Sequence, residues 1–93
     1  MFKILILTTE GCEACDIAKC NVNAAIVQSS NIEITREVKD WHEMDKSFIN
    51  ANKIKDFPAV LYICDDIVVN KTIGTYPSIV YLRWINMYFK HKK

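Results

Sequence analysis

No stretch of this chain approaches the roughly 18 consecutive apolar residues that a membrane-crossing helix needs, so a helical span is excluded. Charge of one sign is equally lacking. Twelve Lys and Arg stand against eleven Asp and Glu, and a net charge of +1 creates no field that favours nucleic acid or an acidic partner. The basic end, Lys90-His91-Lys92-Lys93, is local and reads as the complement of a helix dipole. Glycine and proline number two each, and neither falls within residues 13–28. Internal repeats and low-complexity segments are absent. There is no second CxxC and no HxxxH, so the usual four-ligand framework for zinc is missing. Cys20, Cys64, His42 and His91 would have to converge from scattered positions to complete one.

What is present describes a folded globular chain. Hydrophobic residues make up 51% and charged residues 25% of the sequence. Its 93 residues suit one domain, 1–93, with a core that hides about two-thirds of the unfolded surface. The apolar opening, residues 1–7, is too short for a secretory leader and runs into Cys12-Glu13-Ala14-Cys15 without a cleavage site. A buried first strand accounts for it better, and a cytoplasmic location is expected. Thiols are kept reduced there, so a CxxC pair is more often catalytic or metal-binding than structural.

Periodicity lays out the elements. Residues 2–8 form a nearly continuous apolar run that suits a strand buried on both faces. Residues 13–28 read as a helix with Cys15, Ala18, Val22, Ala25 and Ile26 on one stripe. Ser29-Ser30-Asn31 ends it. A second strand is predicted over 32–38, with Glu33, Arg36 and Glu37 marking a sheet edge. Asp40 and Glu43 resemble a capping arrangement before a short helix reaching about residue 52, with Met44, Phe48 and Ala51 facing in. Residues 59–64 form a strand, Asp65-Asp66 a tight turn, and 67–73 its hairpin partner. Gly74-Thr75-Tyr76 breaks that strand. Pro77 begins a last helix to about residue 89, with Leu82, Ile85 and Phe89 inward and Tyr81, Trp84 and Tyr88 flanking. The order is β-α-β-α-β-β-α. The fold class is α/β, and the first βαβ unit requires a right-handed parallel crossover.

Cys12-Glu13-Ala14-Cys15 falls between the first strand and the first helix, where amide N–H groups lack partners and the helix dipole is positive. A thiolate there is stabilised, and only the thiolate attacks a disulfide. Cys12 precedes the helix and is the attacking candidate; Cys15, one turn in, is the resolving candidate. Glu13 places a carboxylate beside Cys12 and opposes the dipole, so the thiol is expected to be moderately rather than extremely acidified. That favours a reductant over a strong oxidant. Cys20 lies about 140° around the helix from Cys15 and is not placed to bond with it. Cys64 is expected in the core and His42 and His91 in solvent; Trp41 is placed beneath the second helix, with the flank of the active site as its alternative.

These features resemble the thioredoxin-like superfamily over almost the whole chain. Cys12-Glu13-Ala14-Cys15 follows the first strand, Asp40 follows the second, Ile54-Lys55-Asp56-Phe57-Pro58-Ala59 enters the third, and Gly74 precedes the closing helix. The resemblance implies a four-stranded mixed sheet in order 2-1-3-4 with helices on both faces. It implies that Pro58 is cis beside the CxxC pair, that the Phe57 backbone pairs with substrate, and that Gly74 and Thr75 complete the substrate site. The details depart from either subfamily. Gly11 stands where thioredoxins have Trp, Ile6 where they bury an Asp, and Ala59 where Thr usually follows the proline. Glutaredoxins usually have an aromatic residue at the position of Ala14.

The activity expected is thiol–disulfide exchange on a disulfide-containing protein or a glutathione mixed disulfide. No bound cofactor and no metal are expected; glutathione or a thioredoxin-reductase system would be the external reductant. Nucleic acid and membrane are not expected partners, and a monomer is. Two other classes stay open: a binding module with little turnover that uses the groove beside Pro58, and metal or iron–sulfur binding through Cys12 and Cys15.

Overall fold

The computed structural model describes residues 1–29 and 33–89, so the basic cluster with His91, and Ser30, Asn31 and Ile32, lie outside the described residues. The elements are β1 (Phe2–Thr8), α1 (Glu13–Ser29), β2 (Ile34–Asp40), a 3-10 turn (Trp41–Glu43), α2 (Lys46–Ala51), β3 (Ala59–Cys64), β4 (Ile67–Ile73) and α3 (Ser78–Tyr88). They form one four-stranded sheet in the expected order β2-β1-β3-β4. β1 runs parallel to β2 and antiparallel to β3, and β3 pairs antiparallel with β4.

β1 lies inside the sheet, and its four residues Ile4 to Leu7 are all buried. An interior strand has an apolar layer on each face, which is why its sequence does not alternate. Ile4 and Ile6 join Val60 and Tyr62 under α1 and α3, which contribute Val22, Ala25, Tyr81 and Ile85, with Phe89 just past the end of α3. Leu5 and Leu7 point the other way, with Ala59, Leu61 and Ile54, and are covered by Met44, Phe48, Ile49 and Phe57. Helices therefore cover both faces. Among the described residues no helix is long and apolar enough to cross a membrane.

Several boundaries differ from the sequence reading. β2 is the expected edge strand but extends to Asp40, because its parallel register with β1 runs from Phe2↔Ile34 to Thr8↔Asp40. The second helix is split. Asp40 caps the 3-10 turn by accepting from the His42 amide, and α2 begins only after Asp45. Ala51 is exposed and Ile49 takes the inward place beside Phe48. In α3, Tyr81 rather than Leu82 is fully buried, and Pro77 is the extended cap residue outside the first turn. Cys64 is half-buried rather than core, since it ends β3 opposite Phe2 at the far end of the sheet. At the β3–β4 hairpin Asp65 and Asp66 have φ of 51° and 67°. Two consecutive left-handed residues match the right-handed twist of the strands they join, and Asp tolerates that conformation.

Leu61→Ala removes a fully buried side chain from the α2-side layer. It is expected to lower unfolding free energy by about 2–5 kcal/mol in urea titration, with an unchanged slope. Val38→Ala, on the edge strand and 38% exposed, is expected to change it by less than about 0.5 kcal/mol.

Candidate active site

Strand register brings four loops to one end of the sheet. Thr8 faces Asp40, Leu7 faces Ala59, and Ala59 faces Ile73. The residues that follow Thr8, Asp40 and Ile73, and those that precede Ala59, therefore emerge together. Cys12, Trp41, Pro58 and Gly74 all lie on these segments.

Gly11 turns the chain from β1 into α1 with φ of +70°. A Cβ there would meet nothing within 4 Å, so the demand on this position is conformational rather than steric. An L residue would carry roughly 1–2 kcal/mol in that region. The turn leaves Cys12 half-buried just ahead of the helix and Cys15 one turn in, with only 2% of its surface exposed. The Cys15 backbone N–H donates to Cys12 Sγ at 3.0 Å. Cys12 thus does with sulfur what a capping Ser or Asp does with oxygen, and it engages one of the unpaired first-turn amides. The two cysteines are joined as a disulfide, with Cα atoms 5.2 Å apart. That separation lies within the ordinary span for such a bridge.

The electrostatics around Cys12 are mixed. Helix α1 carries Glu13 and Asp16 in its first turn. Asp16 is engaged by Lys19 at 3.0 Å, one helical turn along. Thr9, Gly11, Cys12, Glu13 and Lys19 border an open hollow of about 440 Å³ in front of the disulfide. Among the described residues no group of three or more His, Cys, Asp or Glu is arranged to hold a metal ion.

The Phe57–Pro58 bond is cis, and Pro58 is buried. Its carbonyl accepts from the Gly74 N–H at 2.8 Å, which extends the β3–β4 pairing into the loop. Gly74 has φ of +102°, the second position where the backbone requires glycine. Thr75 Oγ1 donates to the Ala14 carbonyl at 2.9 Å, inside the CxxC spacer. Asn21 Nδ2 donates to the Tyr76 carbonyl at 2.9 Å. The Tyr81 hydroxyl accepts from the Tyr76 N–H at 3.2 Å and donates to the Gly74 carbonyl at 3.3 Å. Burial pushes the Tyr81 phenol above its ordinary pKa, so it stays a neutral donor and acceptor. The loop after β4 is thereby held against the start of α1.

Structure thus gathers Cys12, Cys15, Phe57, Pro58, Gly74 and Thr75 at one end of the sheet. Lys55 and Asp56 are exposed on the approach to Phe57, and Tyr76 is 38% exposed at the rim. Cys20 is an exposed free thiol on α1, and Cys64 lies at the opposite sheet end. Trp41 takes the alternative place, at the flank of the site. Its indole N–H donates to Thr9 Oγ1 at 3.2 Å and its ring stacks on Phe57, with centroids 5.9 Å apart. Sequence reasoning missed this contact and the roles of Asn21 and Tyr81. Their partners lie across loops and on other strands, and neither period nor motif marks such pairs.

No family model matches the sequence, and no curated protein matches it. Solved structures do. Thioredoxin-2 of a malaria parasite, a component of its protein secretion machinery, superposes with a TM-score of 0.75 at 12% identity, over 95% of this chain and 84% of that one. Chloroplastic thioredoxin z gives 0.73 at 15% identity, over 94% and 77%. A further malarial protein gives 0.67 at 13% identity, over 90% and 96%. At these identities the likeness establishes the architecture: this chain has the thioredoxin fold, with a CxxC pair at the start of its first helix.

Tyr81→Phe deletes the hydroxyl that serves both Tyr76 and Gly74. It is expected to cost about 1–2 kcal/mol of stability in denaturant titration of the oxidised protein, because two loop groups lose a partner.

Proposed function

We propose that this chain is a thiol–disulfide oxidoreductase working as a disulfide reductase. The observation that carries the reading is the Cys12 sulfur at the N-terminus of α1, 3.0 Å from the Cys15 amide and bonded to the Cys15 sulfur. A sulfur so placed is stabilised as thiolate once the bridge is reduced. Burial disfavours the Cys15 thiolate, so Cys12 attacks first.

The cycle balances in two exchanges. Cys12 thiolate attacks one sulfur of a substrate disulfide; that S–S bond breaks, and the leaving thiolate takes a proton from water. Cys15, deprotonated, attacks the Cys12 sulfur of the mixed disulfide, releases the second substrate thiol and leaves the Cys12–Cys15 bridge. Two electrons pass to the substrate. An external dithiol system or two glutathione molecules return them. We assign the substrate-binding surface to the Phe57 backbone, Pro58, Gly74 and Thr75, with Gly74 hydrogen-bonded directly to the Pro58 carbonyl. The substrate class is a disulfide-bearing protein or a glutathione mixed disulfide. The chain acts as a monomer in a reducing cytoplasm.

Insulin reduction with a recycling reductant tests the reading. Wild type is expected to turn over, Cys12→Ser to lose essentially all activity, and Cys15→Ser to accumulate a covalent mixed disulfide visible by mass. Saturable binding of a disulfide peptide without turnover would support the binding-module class instead. Glu13→Gln removes a negative charge beside Cys12 and is expected to shift the thiol's ionisation to lower pH. Iodoacetamide labelling of the reduced protein at pH 6 should then run about 2-fold faster than in wild type, since rate follows thiolate fraction.

A further inference from the structure

The first residue after β2 connects two segments that belong to other strands. Trp41 donates its indole N–H to Thr9 Oγ1 at 3.2 Å. Thr9 sits three residues before Cys12, on the loop that leaves β1. The same indole stacks on Phe57 with an interplanar angle of 21°, and Phe57 directly precedes Pro58. β2 and β3 flank β1 on opposite sides, so the side chain crosses the end of β1 to reach Phe57. Ladder pairing between β1 and β3 stops at Leu7↔Ala59, and beyond that pair the two segments share no strand register.

The indole is itself held. The His42 ring lies with its centroid 3.8 Å from that of Trp41. Asp40 Oδ1 accepts from the His42 amide at 2.9 Å and meets His42 Nδ1 at 2.7 Å. Those contacts hold the Asp40 carboxyl below the ordinary carboxylate range, so it stays an acceptor near neutrality. The order of support runs from Asp40 to His42 to Trp41, and from Trp41 to both Thr9 and Phe57.

We propose that Trp41 is a positioning residue for disulfide exchange, a cross-brace that sets the spacing between the Cys12 loop and the Phe57–Pro58 corner. This rests on the oxidoreductase reading above. A protein disulfide must lie against Phe57 and Pro58 while presenting one sulfur in line with Cys12. Small misplacements of two such surfaces are costly to rate. A small aryl disulfide needs only the Cys12 sulfur and is much less sensitive to the brace.

The test compares kcat and KM for insulin and for a small aryl disulfide in wild type, Trp41→Phe, Thr9→Val, Thr9→Ser and the double variant Trp41→Phe/Thr9→Val. Trp41→Phe keeps a ring for Phe57 and loses the N–H. It is expected to lower kcat/KM for insulin about 5- to 10-fold, mostly through KM, and to lower the aryl disulfide rate less than about 2-fold. Thr9→Val is expected to reproduce that split, and Thr9→Ser, which keeps the acceptor, to restore the wild-type ratio. The double variant should be no worse than the poorer single, since both remove one hydrogen bond. Should Trp41→Phe fail to fold, the two Thr9 variants decide alone. An insulin rate within about 2-fold of wild type in Trp41→Phe or Thr9→Val overturns the brace, as does a proportional fall on both substrates. A wild-type chain that reduces neither disulfide overturns the oxidoreductase reading itself, and the brace with it.

Discussion

The contact between the Cys15 amide and the Cys12 sulfur sets the requirements that the surrounding structure meets. It demands that the first turn of α1 be open at its end, so that its amides face a side chain rather than the preceding chain. It also demands that the axis of α1 be immobile relative to β1. Four buried residues of α1 provide this: Cys15, Ala18, Val22 and Ala25 lie on one stripe. Two of these are alanines, which bring the helix backbone close to the sheet and to α3 with little side-chain entropy lost. The sulfur is thus placed by packing some distance from it as much as by its own turn.

The second constraint is that all four connecting segments of the site leave the sheet at one end. This follows from register. Thr8, Asp40, Ala59 and Ile73 are neighbours across four strands, and each is adjacent to a loop that reaches the site. The parallel pair β1–β2 is what permits Trp41 to join Cys12 there, since a hairpin connection would have put the end of β2 at the opposite side. On the other flank, the hydrogen bond from Gly74 to Pro58 and the Thr75 hydroxyl on Ala14 tie β4's exit to both β3 and α1. The site is a closed circuit of hydrogen bonds and one aromatic stack on an apolar base, so displacing one loop strains its neighbours.

Much of this was legible in the residues. The unbroken apolar runs of β1 and β3 identify interior strands, and the charges Arg36 and Glu37 identify an edge; the sheet order bears both out. The CxxC position between strand and helix also reads correctly, and the wrap of helices over both faces is as the resemblance implied. What failed was local. Asp40 and Asp45 are both chemically suited to start a helix, and periodicity cannot tell one continuous helix from a 3-10 turn followed by a separate one. Leu82 looks more buried than Tyr81 on hydropathy alone. The phenol is inside because Tyr76 and Gly74 satisfy its hydroxyl, and that information is tertiary. The partners of Trp41 are similarly non-local, 32 residues away at Thr9.

The departures from the thioredoxin pattern have a common physical direction. Glycine at position 11 removes a side chain beside Cys12 and supplies a left-handed turn in its place. An aromatic ring nonetheless reaches this rim, brought by β2's end instead of by the residue before the cysteine. Ile6 lies beneath the site in the same apolar layer as Ile4 and Val60. Cys15, above that layer, is itself almost fully buried. The two sulfurs therefore sit in different environments: Cys12 at the start of α1 facing a hollow, Cys15 almost fully buried beneath the helix. On the oxidoreductase reading proposed above, such a difference gives the reduced pair an order of attack, Cys12 before Cys15, without an acidic side chain beneath it.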